Sequence, residues 1–201
     1  MRGFIALYLS ETEQQQLASL QSRLSKALEF AGCFPAWVPP QNLHLTLKFL
    51  GADIDASDAH CEALGQAIAT ALRAARDQGG LQVPLSLELG GLMCLPHIKA
   101  PRTLTVGLTA RHLKPLQFLV DRIDDQLGVL RYARETRPLT PHLTLARFKA
   151  MRGTHALPQV MASHHKFVHG MLNFTKISLM ESRLDGPTPV YRERLSVPLE
   201  G

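Results

Sequence analysis

Leu43-His44-Leu45-Thr46-Leu47-Lys48-Phe49-Leu50 alternates apolar and polar side chains, and its centre returns unchanged 98 residues on (44 to 142) as His142-Leu143-Thr144-Leu145. A period of two marks a β-strand with one face in a core and the other open. Leu43, Leu45, Leu47 and Phe49 are expected on the buried face, with His44, Thr46 and Lys48 on the open one. In the second copy, alternating from Leu139 to Phe148, His142, Thr144 and Ala146 share a face and Arg147 turns to the other. In each copy the two-residue step sets an imidazole beside a hydroxyl while leucines anchor the strand.

The surroundings of the two segments also match. Phe4 to Leu9 is rich in strand formers, Ser10 and Glu13 have capping-box spacing, and Leu17, Leu20, Leu24 and Leu28 form the apolar stripe of a helix. Downstream, a strand is expected at Thr103 to Leu108 and a helix near His112 to Leu127; the same offset carries Pro40 onto Pro138. The chain therefore reads as one two-lobed domain over residues 1–201, with an internal repeat at approximately 3–51 and 101–149 and no linker between the halves. Between them lie an Ala-rich helix from about Ser57 to Asp77, ended by Gln78-Gly79-Gly80, and a strand at Val83 to Leu89. The match stops after the second motif, where strands are expected around Phe167 to Phe174 and Ile177 to Met180.

Composition sets weaker bounds. With 201 residues, 45% hydrophobic and 19% charged, the chain can bury a sizeable core, and a net charge of +5 tilts it mildly toward a polyanionic partner. Cys33, Cys61 and Cys94 are too widely spaced for a metal knuckle or a redox pair, and their odd number cannot make a complete disulfide framework, which fits a reducing, cytoplasmic setting. The apolar run at Phe4 to Leu9 is too short for a signal segment or a membrane span, and a monomer is the default expectation.

Two His-x-Thr pairs related by a pseudo-two-fold axis would form the two walls of one cleft. A phosphodiester suits that symmetry. Its hydrolysis needs a base for the nucleophile's proton and an acid for the departing oxygen, and histidine titrates near neutrality. The hydroxyls of Thr46 and Thr144 can donate to the non-bridging oxygens, so the chemistry needs no metal and no cofactor.

Arg2-Gly3-Phe4-Ile5-Ala6, Asn42 to Gly51, Pro141 to Arg147, and Ser182-Arg183-Leu184 with Tyr191 together resemble the two-histidine phosphoesterase superfamily, and within it the bacterial RNA 2′,3′-cyclic phosphodiesterase (2′-5′ RNA ligase) family. The resemblance covers nearly the whole chain. It implies an α+β, bilobed fold of antiparallel sheets, pseudo-two-fold duplicated and flanked by helices around a central cleft. It also implies hydrolysis of RNA 2′,3′-cyclic phosphate ends to 2′-phosphomonoesters, with 2′-5′ ligation as the same chemistry run backwards. On that basis His44, Thr46, His142 and Thr144 are catalytic, with His142 activating water and His44 protonating the 3′ oxygen. Arg147 falls where the family places an arginine near the phosphate, with a plain surface charge as the alternative, and Phe4 is a candidate either for stacking on a base or for the core. Where the family often has an arginine before its tryptophan this chain has Ala36 before Trp37, and where an acidic residue often follows the first strand's core it has Tyr8.

Competing readings stay open at this point: a basic RNA-binding module without turnover, or a phosphodiesterase for a small cyclic nucleotide. His164, His165 and His169 offer a four-residue step for metal ligation, but no glutamate accompanies them and the segment reads as a solvated loop entering a strand.

Overall fold

The computed structural model describes residues 1–109, 111, 113–165, 170–183 and 189–200. In chain order its elements are β1 (Arg2–Tyr8), α1 (Glu11–Phe30), β2 (Ala36–Trp37), β3 (His44–Gly51), α2 (Asp58–Gly79), β4 (Leu85–Leu95), β5 (Thr103–Leu108), α3 (Leu113–Val129), β6 (His142–Arg147), α4 (Leu157–His164), β7 (Met171–Phe174), β8 (Lys176–Arg183) and β9 (Val190–Pro198). Local chemistry sets the helix ends. Ser10 and Glu13 close the capping box at α1, with Ser10 N donating to Glu13 Oε2 at 2.9 Å, and Gly80 takes the left-handed conformation (φ 67°) that stops α2.

The strands form one antiparallel sheet in the order β7-β4-β5-β6-β3-β1-β8-β9, with β2 paired to β6. The two motif strands, β3 and β6, sit side by side at its centre, Leu45 opposite Leu143. Outward from that pair the order runs β5, β4, β7 on one side and β1, β8, β9 on the other. The fold is α+β, as expected. Leu17, Leu20, Leu24 and Leu28 of α1, Leu64 and Ile68 of α2, and Leu116, Leu119 and Ile123 of α3 pack with Ile5, Leu7, Leu45, Leu143 and Leu179 of the sheet in one large core. Each such leucine contributes about 1.5–3 kcal/mol by leaving water.

Alternation along the motif strands holds only as far as the threonines. Across β1 and β3, Ile5 faces Lys48 and Ala6 faces Thr46, so Leu47 is an extra residue; across β5 and β6, Leu104 faces Ala146 and Thr105 faces Thr144, so Leu145 is the extra one. A bulge of this kind inverts the face of every following side chain. Two expectations are corrected by it. Lys48 is buried and Phe49 is 64% exposed, the reverse of strict alternation, and Arg147 turns to the same open face as His142 and Thr144.

Three elements escape the sequence pattern. β2 is only two residues long, α4 occupies a stretch read as loop, and β9 is an edge strand whose charged residues hide its period. β4 also starts later and runs further than expected, to Leu95. The helix expected from His112 and the strand expected from Phe167 begin on residues outside those described; their described parts are α3 and β7.

Candidate active site

The two histidines are oriented alike. His44 Nδ1 lies 2.7 Å from the carbonyl oxygen of Asn42, and His142 Nδ1 lies 2.6 Å from that of Thr140. A carbonyl only accepts, so in each ring Nδ1 carries the proton and donates, leaving Nε2 available for proton transfer. Antiparallel alternation from the Leu45–Leu143 pair sets His44 across from Thr144 and Thr46 across from His142. Each imidazole thus has a hydroxyl beside it on its own strand and another across the strand gap.

The segments that lead into the motifs are fastened from the core side. The Gln21 side chain of α1 donates to Val38 O (2.8 Å) and Leu145 O (2.9 Å), holding the first approach to the bulge of the second motif strand. Asn42 Nδ2 donates to Pro189 O at 3.0 Å. On the other side Lys48 Nζ donates to Ala133 O (2.8 Å) and pairs with Asp124 (2.7 Å), while Asp124 accepts from Glu135 N (3.1 Å). The second approach is therefore pinned by a buried ion pair rather than by an amide.

His44 sits among rings: Phe4 at 4.9 Å, Tyr8 at 5.4 Å and Tyr191 at 5.4 Å between centroids. Burial pushes its pKa down to about 4, and the charges of Arg147 and His142 add to the effect against the opposing hydrogen bond to Asn42. Phe4 itself is only 4% exposed, in a small apolar cluster with Ala6 and Met180 on the cleft side of the sheet. It supports the His44 ring and leaves little surface for a base. Tyr8, whose hydroxyl is buried and has no hydrogen-bond partner among the described residues, has its pKa raised mainly by that burial.

Two cavities flank the motif strands. The first, about 440 Å³, takes in His44, Thr144, Arg147, Trp37 and Tyr191, together with Arg102 and Lys149. The second, about 500 Å³, takes in His142, Thr46, Phe49, Gln117 and Arg137. Each cavity holds one histidine and the threonine of the other motif. The structure thus gathers His44, Thr46, His142, Thr144 and Arg147 at one place. Sequence reasoning missed Phe49, Gln21 and the Lys48–Asp124 pair; the signal for the bulges was the step of three in Leu47 to Leu50 and Leu145 to Phe148, where strict alternation requires two.

His164 and His165 close α4, which corrects the loop reading, with Nδ1 of each on a backbone carbonyl of its own helix; His169 lies outside the described residues. Among the described residues no group of three or more histidine, cysteine or acidic side chains is arranged to hold a metal ion, and no helix is long and apolar enough to cross a membrane.

An antiparallel α+β sheet that carries two His-x-Thr pairs on its central strands has the layout of a two-histidine phosphoesterase. Residues 29–186 match the family model of the 2′-5′ RNA ligase superfamily, and the chain belongs to that family. Among its relatives, a Thermus thermophilus protein named RNA 2′,3′-cyclic phosphodiesterase is 31% identical over 194 residues, spanning 95% of this chain and 86% of the relative. One of the same name from Aquifex aeolicus is 26% identical over 193 residues, spanning 95% and 93%. The crystal structure of TT0787 of Thermus thermophilus superposes with a TM-score of 0.69 at 26% identity, covering 100% of this chain and 99% of that one. LigT of E. coli, solved as a complex with 3′-AMP, shares the fold with a TM-score of 0.63 at 18% identity, covering 100% and 98%.

Proposed function

We propose that this enzyme opens the 2′,3′-cyclic phosphate at the end of an RNA to a 2′-phosphomonoester, using His44 and His142 as acid and base. The observation that carries this reading is the matched tethering of both Nδ1 atoms, which presents two Nε2 atoms at the sheet centre for opposite proton transfers. The relatives' names point to the same substrate.

The roles follow from charge. Among the described residues the first cavity is lined by Arg102, Arg147 and Lys149 and by no carboxylate, so the RNA and the ribose bearing the cyclic phosphate belong there, on the side of His44. In-line attack then brings water from the side of His142. His142 Nε2 takes the water proton, the oxygen bonds to phosphorus, the P–O3′ bond breaks, and protonated His44 delivers its proton to O3′. A phosphate anion between the rings lifts the low pKa of His44, and the proton it then holds in a desolvated pocket is readily given up. Thr46 and Thr144 donate to the non-bridging oxygens, and the guanidinium of Arg147 stabilises the charge that builds on them. Because these groups cover both proton transfers and the charge, excess EDTA leaves turnover intact. Incubating the protein with an RNA ending in a 2′,3′-cyclic phosphate, with EDTA, and separating 2′- from 3′-phosphate products tests this directly. A 2′-phosphate product lost in His44→Ala and His142→Ala is expected; a 3′-phosphate product, or turnover that EDTA abolishes, overturns it.

A further inference from the structure

We infer that the surface leading out of the first cavity, formed by Phe34 and Met151 with Lys149 and Arg152, is a subsite for the nucleotide immediately 5′ of the one bearing the cyclic phosphate, its base stacked on Phe34. The inference rests on the proposed function, which puts the terminal ribose in the first cavity, and extends it to Phe34, Met151 and Arg152, which stand outside that cavity's lining.

Two chain segments leave the cavity side by side. β2 pairs with β6, Ala36 opposite Arg147, so the chain read back from Trp37 to Cys33 runs with the chain read forward from Ala146 to Gly153. The segments meet again at the far end, where Gly153 (φ 74°) lies so close to its neighbour that an added Cβ would stand 2.7 Å from Cys33 N. Between these two contacts the first segment presents Phe34, 76% exposed, and the second presents Lys149, Met151 and Arg152, all exposed. Phe34 is two residues from Ala36 of the cavity wall, a reach of at most about 7 Å. Neither residues 30–38 nor residues 146–153 include an aspartate or a glutamate. Core packing explains neither Phe34 nor Met151, since both face solvent, whereas Cys33 between the segments is buried and fixes the turn that presents the ring. A solvated ring beside a track of cations suits a single nucleic-acid strand: the phosphates follow the charge, and a base of any identity stacks on the ring. With the terminal nucleotide in the cavity, the linking phosphate passes Lys149 and the preceding base reaches Phe34.

The test compares, in the His44→Ala variant, the binding of two ligands of equal charge: adenylyl-(3′-5′)-adenosine 2′,3′-cyclic phosphate, and the same dinucleotide with an abasic ribose at its 5′ position. The intact dinucleotide is expected to bind at least about tenfold more tightly, the scale of one base on an aromatic ring. Adding Phe34→Ala, a change at an exposed ring that costs the fold little, shrinks that advantage to under about threefold, while Phe34→Trp keeps it. Equal affinities for the two ligands, or an advantage that survives Phe34→Ala, overturns the subsite. With His44 in place, Phe34→Ala lowers kcat/KM for the intact dinucleotide by a similar factor and leaves hydrolysis of 2′,3′-cyclic AMP unchanged. An equal loss on both substrates also overturns the subsite, because the ring would then support the catalytic centre instead of a base. If the wild-type protein does not hydrolyse 2′,3′-cyclic AMP at all, that tells against the proposed function, while the affinity ratio still reports on the subsite.

Discussion

His44 lies against three aromatic rings and is held neutral by burial, which gives the protein a pH dependence of predictable sign. Its pKa is about 6.5 in the unfolded chain and about 4 when folded, so between those values the unfolded state binds a proton that the folded state refuses. Stability from this residue is complete above pH 6.5 and falls as the pH drops toward 4, by on the order of 2 kcal/mol. Denaturant unfolding at pH 7.5 and 4.5 is expected to show that loss in the wild-type protein and a smaller one in His44→Gln. Equal losses would place the titrating group elsewhere. For catalysis, His44→Ala and His142→Ala each reduce kcat by at least about a hundredfold, measured on a cyclic-phosphate RNA, and near-normal turnover in either variant sinks the acid–base assignment. Arg147→Lys keeps the charge but loses the planar fork, so a partial recovery relative to Arg147→Ala is expected in kcat/KM.

The bulges decide which side chains of the motif strands turn to the open face, and they mark where the sequence stops being readable. His44, Thr46, His142 and Thr144 precede the extra residue, so period-two reasoning places them correctly. Phe49 and Arg147 follow it, and the same reasoning turns both the wrong way. Strand β9 was hidden for a different reason: an edge strand exposes charge along its length and blurs the alternation that buried strands show. Lys48, buried by the same phase change, yields a prediction at this scale. Lys48→Met leaves Asp124 as an uncompensated buried charge and is expected to cost about 3 kcal/mol in denaturant unfolding, whereas Lys48→Met combined with Asp124→Leu recovers most of it. Turnover distinguishes structure from positioning: the double variant regains stability but not full kcat, because Ala133 O and Glu135 N lose the anchors that set the approach to His142. Full recovery of kcat would show that the ion pair only fills space.

Across the whole molecule, the near-symmetric order of the sheet is crossed by an asymmetric field. The formal charge of +5 is modest, but Arg102, Arg147 and Lys149 gather in one cavity while the other is balanced by its own carboxylates. A single-stranded RNA that places phosphates among three cations releases counterions in proportion, at about 0.7 per phosphate neutralised, so log Kd against log salt is expected to rise with a slope of about 2. The measurement uses a short cyclic-phosphate RNA and the His44→Ala variant, which binds without turning the ligand over. Replacing Arg102 and Lys149 with glutamine in that background lowers the slope to under about 1, while cyclic AMP, with its single phosphate, shows a shallow dependence in both. If the slope is unchanged by the two substitutions, the RNA follows charge elsewhere on the surface, and the first cavity reads only the terminal nucleotide.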